Sequence, residues 1–189
     1  MKRTQRNLFV IMTVMALIYV VVIRLPLQLQ LWLALGAVGV ATILIVWGRD
    51  FFIGRFLSAR RRWPQAIKRF ERFEKCLLVS RWSRLAVVFY LSIYSFDGVA
   101  VMRNNIAHCL MNLRDFDNAQ RWLREALRRD PQYALAYVNL GTIAALQGKR
   151  DQAEREMRKA VQLGFNPLGA QRILRKALEQ ANASGEHLQ

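Results

Sequence analysis

The side-chain types that most often carry catalysis or bind metals are scarce here: two histidines, His108 and His187, and two cysteines, Cys76 and Cys109. No C-x-x-C pair and no zinc-type ligand spacing appears among them. The thiols are read as small apolar side chains, of a kind that fits a reducing compartment. No paired carboxylates, nucleophile motif or glycine-rich phosphate loop stands out. The expectation is therefore a protein that is not an enzyme, with no cofactor, no metal and no small-molecule substrate. The chemistry left is recognition by asparagines and cations, so the question becomes which elements hold them.

Charge divides the chain. All 13 acidic residues lie at Asp50 or later, and only five of the 29 basic ones (Lys2, Arg3, Arg6, Arg24, Arg49) precede it, leaving a surplus of 11 positive charges in the rear. Anionic lipid, acidic protein and nucleic acid all suit such an excess. Nucleic acid fits least, because aromatic residues are not interleaved with the rear cations as a stacking surface requires.

The front, 1–48, is expected to be a two-helix membrane anchor. Residues 8–23 and 27–47 hold no charge, and a span needs about 20 apolar residues. The expected spans are about 8–25 and 27–47, the first borrowing flanking residues by snorkelling. A cleaved signal peptide competes for the first run, but 22–27 offers no small-residue pair for cleavage. The link Arg24-Leu25-Pro26 allows a helical hairpin, with Gly36 and Gly39 available for close packing and Trp32 and Trp47 near the interfaces. Basic residues crowd both outer flanks, which puts both termini and the rear in the cytoplasm.

Residues 49–64 read as a basic juxtamembrane linker. Phe51, Phe52, Phe56 and Trp63 alternate there with arginines, so the segment can lie among lipid headgroups with Arg55, Arg60, Arg61 and Arg62 toward anionic lipid. The plainer alternative is a linker that only carries the topology signal.

The rear repeats itself. Ala119, Leu123 and Ala126 recur 34 residues later as Ala153, Met157 and Ala160, and Ile106-Ala107 recur as Leu140-Gly141. Such a period marks helix-turn-helix repeats. With Tyr137-x-x-Leu140-Gly141, Ala153-x-x-x-Met157 and Ala160, the chain resembles the tetratricopeptide repeat family; Arg103 departs where that family carries an aromatic. Repeats are expected at 100–133 and 134–167, a degenerate one at 67–99, a capping helix at 168–181 and a tail at 182–189. Asp130-Pro131 and Asn166-Pro167 stop the second helices, Gly148 ends a first helix, and Asp151 and Asp115 or Asp117 can cap. In the degenerate repeat the run 85–96 is apolar throughout; as a helix it needs cover on most sides, and a strand would also accommodate it.

The fold class is thus all-α: a transmembrane hairpin followed by a short α-solenoid of tetratricopeptide type. The resemblance implies a concave groove lined by first helices, which holds a peptide or helix. Carried over by position, it would expose Asn104, Asn105, His108, Asn139, Thr142, Arg172 and Lys176, suited to a peptide backbone and an acidic side chain. Arg172 and Lys176 are equally readable as a solvated cap face. The expected function is a membrane-tethered, cytoplasm-facing scaffold or assembly adaptor. The alternative is a small accessory subunit of a larger membrane complex, bound through the hairpin and 85–96. The compact anchor, arginine-rich flanks and few repeats suggest a bacterial inner membrane.

Overall fold

The computed structural model describes residues 3–79, 95 and 97–186. Among these the chain is all-α. α1 (Arg3–Ile23) and α2 (Leu27–Trp47) carry the apolar front. At 21 residues, with mean hydropathy 2.2 over its most apolar 18-residue window and none of that window buried, α2 is the one described helix long and apolar enough to cross a membrane. At 1.5 Å per residue it covers about 30 Å. The uncharged apolar run of α1, 8–23, is shorter than α2 because its first turns carry Arg3, Gln5, Arg6 and Asn7. A Cβ at Gly36 or Gly39 would meet nothing within 4 Å, so neither glycine forms the close seam with α1 that the sequence allowed.

The segment expected as a linker is a packed element. Only Gly48 separates α2 from α3 (Arg49–Ala59), which turns through Arg60–Arg62 into the antiparallel α4 (Trp63–Val79). Arg61 takes a left-handed φ of 58° at this turn. Gly54 lets the Phe70 ring press against the α3 backbone, where a Cβ would lie 2.7 Å from it. Phe51 packs on Phe73 with ring centroids 6.1 Å apart, Trp47 meets Phe73 edge-on at 5.0 Å, and Asp50 accepts a hydrogen bond from Arg69 at 2.8 Å. Trp47, Phe51 and Trp63 therefore face the helical domain rather than lipid, while Phe52 and Phe56 stay exposed.

Two helical hairpins follow: α5 (Gly98–Asn112) with α6 (Phe116–Arg129), and α7 (Ala134–Leu146) with α8 (Arg150–Gln162). Asp97 and Asp115 cap α5 and α6 through Ala100 N and Asn118 N. Gly148 takes a φ of +73° between α7 and α8, a conformation that suits glycine. Lys149, with no side-chain cap bond, starts α8; Asp151 lies in its first turn, where its charge faces the positive end of the helix dipole instead of capping.

The small periodic residues hold each pair together. Ile106, Ala107, Ala119, Leu123, Ala126, Ala153 and Ala160 are fully buried, and Met157 nearly so; Tyr137 and Leu140 are half-buried. At Gly141 a Cβ would stand 3.1 Å from the Ala153 carbonyl oxygen. α9 (Pro167–Glu186) caps the stack by seating Ala170 against Val138, Met157 and Ala160, and Ala177 against Ala144, Ala145 and Ala153. It extends past the expected end at 181 because Asn182 to Gly185, read as a tail, continue its turns.

α4 supplies Phe70, Phe73 and Leu77 to the main core. The expected partner helix at 85–96 lies outside the described residues except for Ser95, as does His187. Ser95 Oγ donates to Asp130 Oδ2 at 2.6 Å. Arg103 fills the place of the missing aromatic with charge: it reaches Glu74 at 2.7 Å and Glu125 at 3.4 Å, and Glu74 is 6% exposed. Cys109 is buried, and that burial pushes its thiol up to about 11. Cys76, by contrast, is exposed.

Candidate protein-binding groove

α3, α5, α7 and α9 contribute to one continuous concavity. A cavity of about 860 Å³ is lined by the end of α3 and by α5 and α7, with Trp63 and Leu135 as apolar wall. It shares His108, Asn112 and Asn139 with a second cavity of about 470 Å³ that continues to Ile173 and Gln180 on α9. Among the described residues no carboxylate lines either cavity, whereas Arg55, Arg61 and Arg114 do. The surface is thus positive and rich in hydrogen-bonding amides, with apolar patches between them.

The structure rearranges the residues proposed from sequence. Asn139 Nδ2 donates to Asn104 Oδ1 at 2.9 Å, and Asn104 is 5% exposed. This bond ties α5 to α7, so Asn104 serves the scaffold rather than a ligand. Thr142 Oγ1 donates to Val138 O of its own helix at 2.9 Å. Asn105 Nδ2 is buried and makes no hydrogen bond among the described residues. Arg172 and Lys176 are exposed on α9 but line neither cavity. The reason is register: with Ala170 and Ala177 held inward, Ile173 and Gln180 turn toward the groove and the two cations turn aside.

The groove's cations come from the other end. Arg55 and Arg61 line it, although sequence assigned them to lipid together with Arg60 and Arg62. Pinning Phe51 and Gly54 on α4 swings Arg55 and Ser58 to the groove side of α3. Arg60 instead lies over the Phe56 ring at 5.1 Å, and Arg62 is exposed. On the convex side Arg121, Arg124 and Arg128 are exposed; Arg128 pairs with Glu125, and Arg129 pairs with Asp97 at 2.9 Å. Only a contact map could have revealed the α3 contribution, since its register depends on Phe70 and Phe73.

His108 stands at the junction of the two cavities, edge-on to Trp63 at 6.0 Å. Enclosure by the groove walls, and then the Arg55 charge, hold its imidazole below the ordinary value of 6.5, although one side is open. The unfolded chain therefore takes up this proton first as pH falls, and stability declines through and below that value. Thermal midpoints taken at about pH 7.5 and 5.5 should drop more for the natural protein than for His108→Gln, since carboxylates titrate lower.

A family model, the Coatomer epsilon subunit, matches residues 94–167, which run from the approach to α5 to the start of α9. That is a family of tetratricopeptide-like helical repeats, and the match covers less than half of the chain. No curated protein matches the sequence. The fold and this likeness define the class, an all-α helical-repeat protein, and the likeness suggests a role in protein interaction or as a subunit of a complex.

Proposed function

We propose that this protein is a membrane-tethered scaffold or assembly adaptor that recruits a protein partner through the groove of α3, α5, α7 and α9. One observation carries the reading. A positive, amide-rich groove, with no carboxylate among the described residues of its lining, is attached through Gly48 alone to a helix able to cross a membrane. The partner it suits is an acidic, extended segment, whose carboxylates meet Arg55 and Arg61 and whose backbone meets Asn112 and Asn139. In this reading α1 also crosses, its polar first turns snorkelling to the interface. The basic flanks then hold both termini and the repeats in the cytoplasm of a bacterial inner membrane, with Arg60 and Arg62 near anionic lipid. No catalytic step is assigned to the chain.

A photo-crosslinker at Asn105 or Asn139, in native membranes, should capture one protein that the same probe at Arg128 does not. Arg55→Glu with Arg61→Glu should weaken that capture at least about tenfold, or about 1.4 kcal/mol. Equal capture from both faces, or capture indifferent to the arginine reversal, would discard the groove. A second reading, an accessory subunit of a larger complex, is favoured by the subunit family whose model matches. Migration of the gently solubilised protein as a lone protomer would count against it.

A further inference from the structure

α3 has three faces, because successive residues turn by about 100°. Phe51 and Gly54 face α4, and Arg55, Ser58 and Ala59 face the groove. The remaining arc carries Phe52, Ile53 and Phe56, which are 44%, 36% and 58% exposed. Arg49 and Arg60 share this arc, with the Arg60 guanidinium 5.1 Å from the Phe56 ring centroid. The only acid on the helix, Asp50, is engaged by Arg69 at 2.8 Å. Three bulky apolar side chains bounded by exposed cations, on a helix joined by one residue to an apolar helix of membrane length, make an interfacial amphipathic surface.

We infer that the Phe52–Ile53–Phe56 arc lies in the headgroup layer of the bilayer, so that the helix walling the groove is itself seated on the membrane. The inference rests on α2 crossing that membrane. Continuity supports it: α2 ends at Trp47, and Gly48 alone joins it to α3, which keeps the first turn of α3, with Phe52 and Ile53, at the surface. Since a helix is about 10–12 Å across, the Arg55 wall then stands within about one helix diameter of the headgroups. The sequence suggested that aromatics of this segment face lipid; the structure divides them, assigning Phe51 and Trp63 to the domain and leaving Phe52 and Phe56 outside.

The test uses the full chain in nanodiscs of phosphatidylcholine and phosphatidylserine, with Cys76→Ser to remove the exposed thiol. Single cysteines introduced by Phe52→Cys, Phe56→Cys, Leu35→Cys and Arg121→Cys carry a fluorophore, and nitroxide lipids quench it at headgroup or chain-end depth. Headgroup-level quenching at 52 and 56 should exceed that at 121 at least about threefold, while the label at 35 is quenched from the chain ends. Quenching at 52 and 56 no greater than at 121, with 35 still quenched, would overturn the seating of α3 alone. Loss of quenching at 35 as well would instead overturn the membrane-crossing reading beneath it.

Discussion

Arg103→Met is expected to destabilise the helical domain by about 3–5 kcal/mol, the usual penalty for stripping the partner from a buried charge. Glu74 is 6% exposed and 2.7 Å from the Arg103 guanidinium, which also reaches Glu125 at 3.4 Å. Glu125 lies near the surface and can turn to water; Glu74 cannot. The substitution therefore strands one carboxylate among Phe70, Phe73 and Leu77, the apolar residues of its own helix. Chemical denaturation followed by helical circular dichroism in detergent reads the loss. Glu74→Gln combined with Arg103→Met should recover much of it, because a buried neutral amide costs less than an unpaired charge. If the double variant is as unstable as Arg103→Met, lost packing of the arginine stem, not charge, is the cause.

That ion pair shows why parts of the fold escape a reading of sequence. The repeat pattern is local: the small residues at Ala119, Ala126, Ala153 and Ala160 sit where two neighbouring helices touch, and each pair spans only about 30 residues of chain. Spacing alone therefore locates them. Arg103 carried no such signal, because its meaning lies with Glu74 on another helix. In isolation it looked like a lapse from an aromatic site, whereas its counterpart Tyr137 sends its hydroxyl to Pro131 O at 3.2 Å.

The groove divides in the same way. Asn105, His108 and Asn139 lie where helix register places them, and register could be read from the repeats. Its cations could not. Arg55 and Arg61 stand beside a membrane-length helix and within a run of arginines, a composition that membrane topology explains without a fold. What redirects them is the seat of Phe51 and Gly54 on α4, decided by Phe70 and Phe73 well along the chain. Arg172 and Lys176 failed for the converse reason. α9 covers the stretch read as a capping helix, but Ala170 and Ala177 set its rotation, and alanines carry too weak an apolar signal to fix a face against Leu174 and Leu178.

The seat of α3 gives the second large effect. An alanine Cβ at position 54 would lie 2.7 and 2.9 Å from Cε1 and Cδ1 of Phe70, whose ring is 1% exposed and enclosed by the core. Overpacking of this kind costs about 1–3 kcal/mol, against a helix-propensity gain of about 1 kcal/mol for replacing glycine. Gly54→Ala should therefore be net destabilising, whereas Gly36→Ala on α2, where a Cβ meets nothing within 4 Å, should not be. A double-mutant cycle isolates the ring. Phe70→Leu alone should cost about 1–2 kcal/mol, but in that background the ring atoms are gone and Gly54→Ala should become neutral or mildly stabilising. Because Arg55 is the next residue, displacement of α3 should also weaken partner capture from Asn139, and Phe70→Leu should restore it. An alanine that costs the same with and without the ring would mean α3 is not held by this contact. The arginine wall would then owe its position to something other than Phe70.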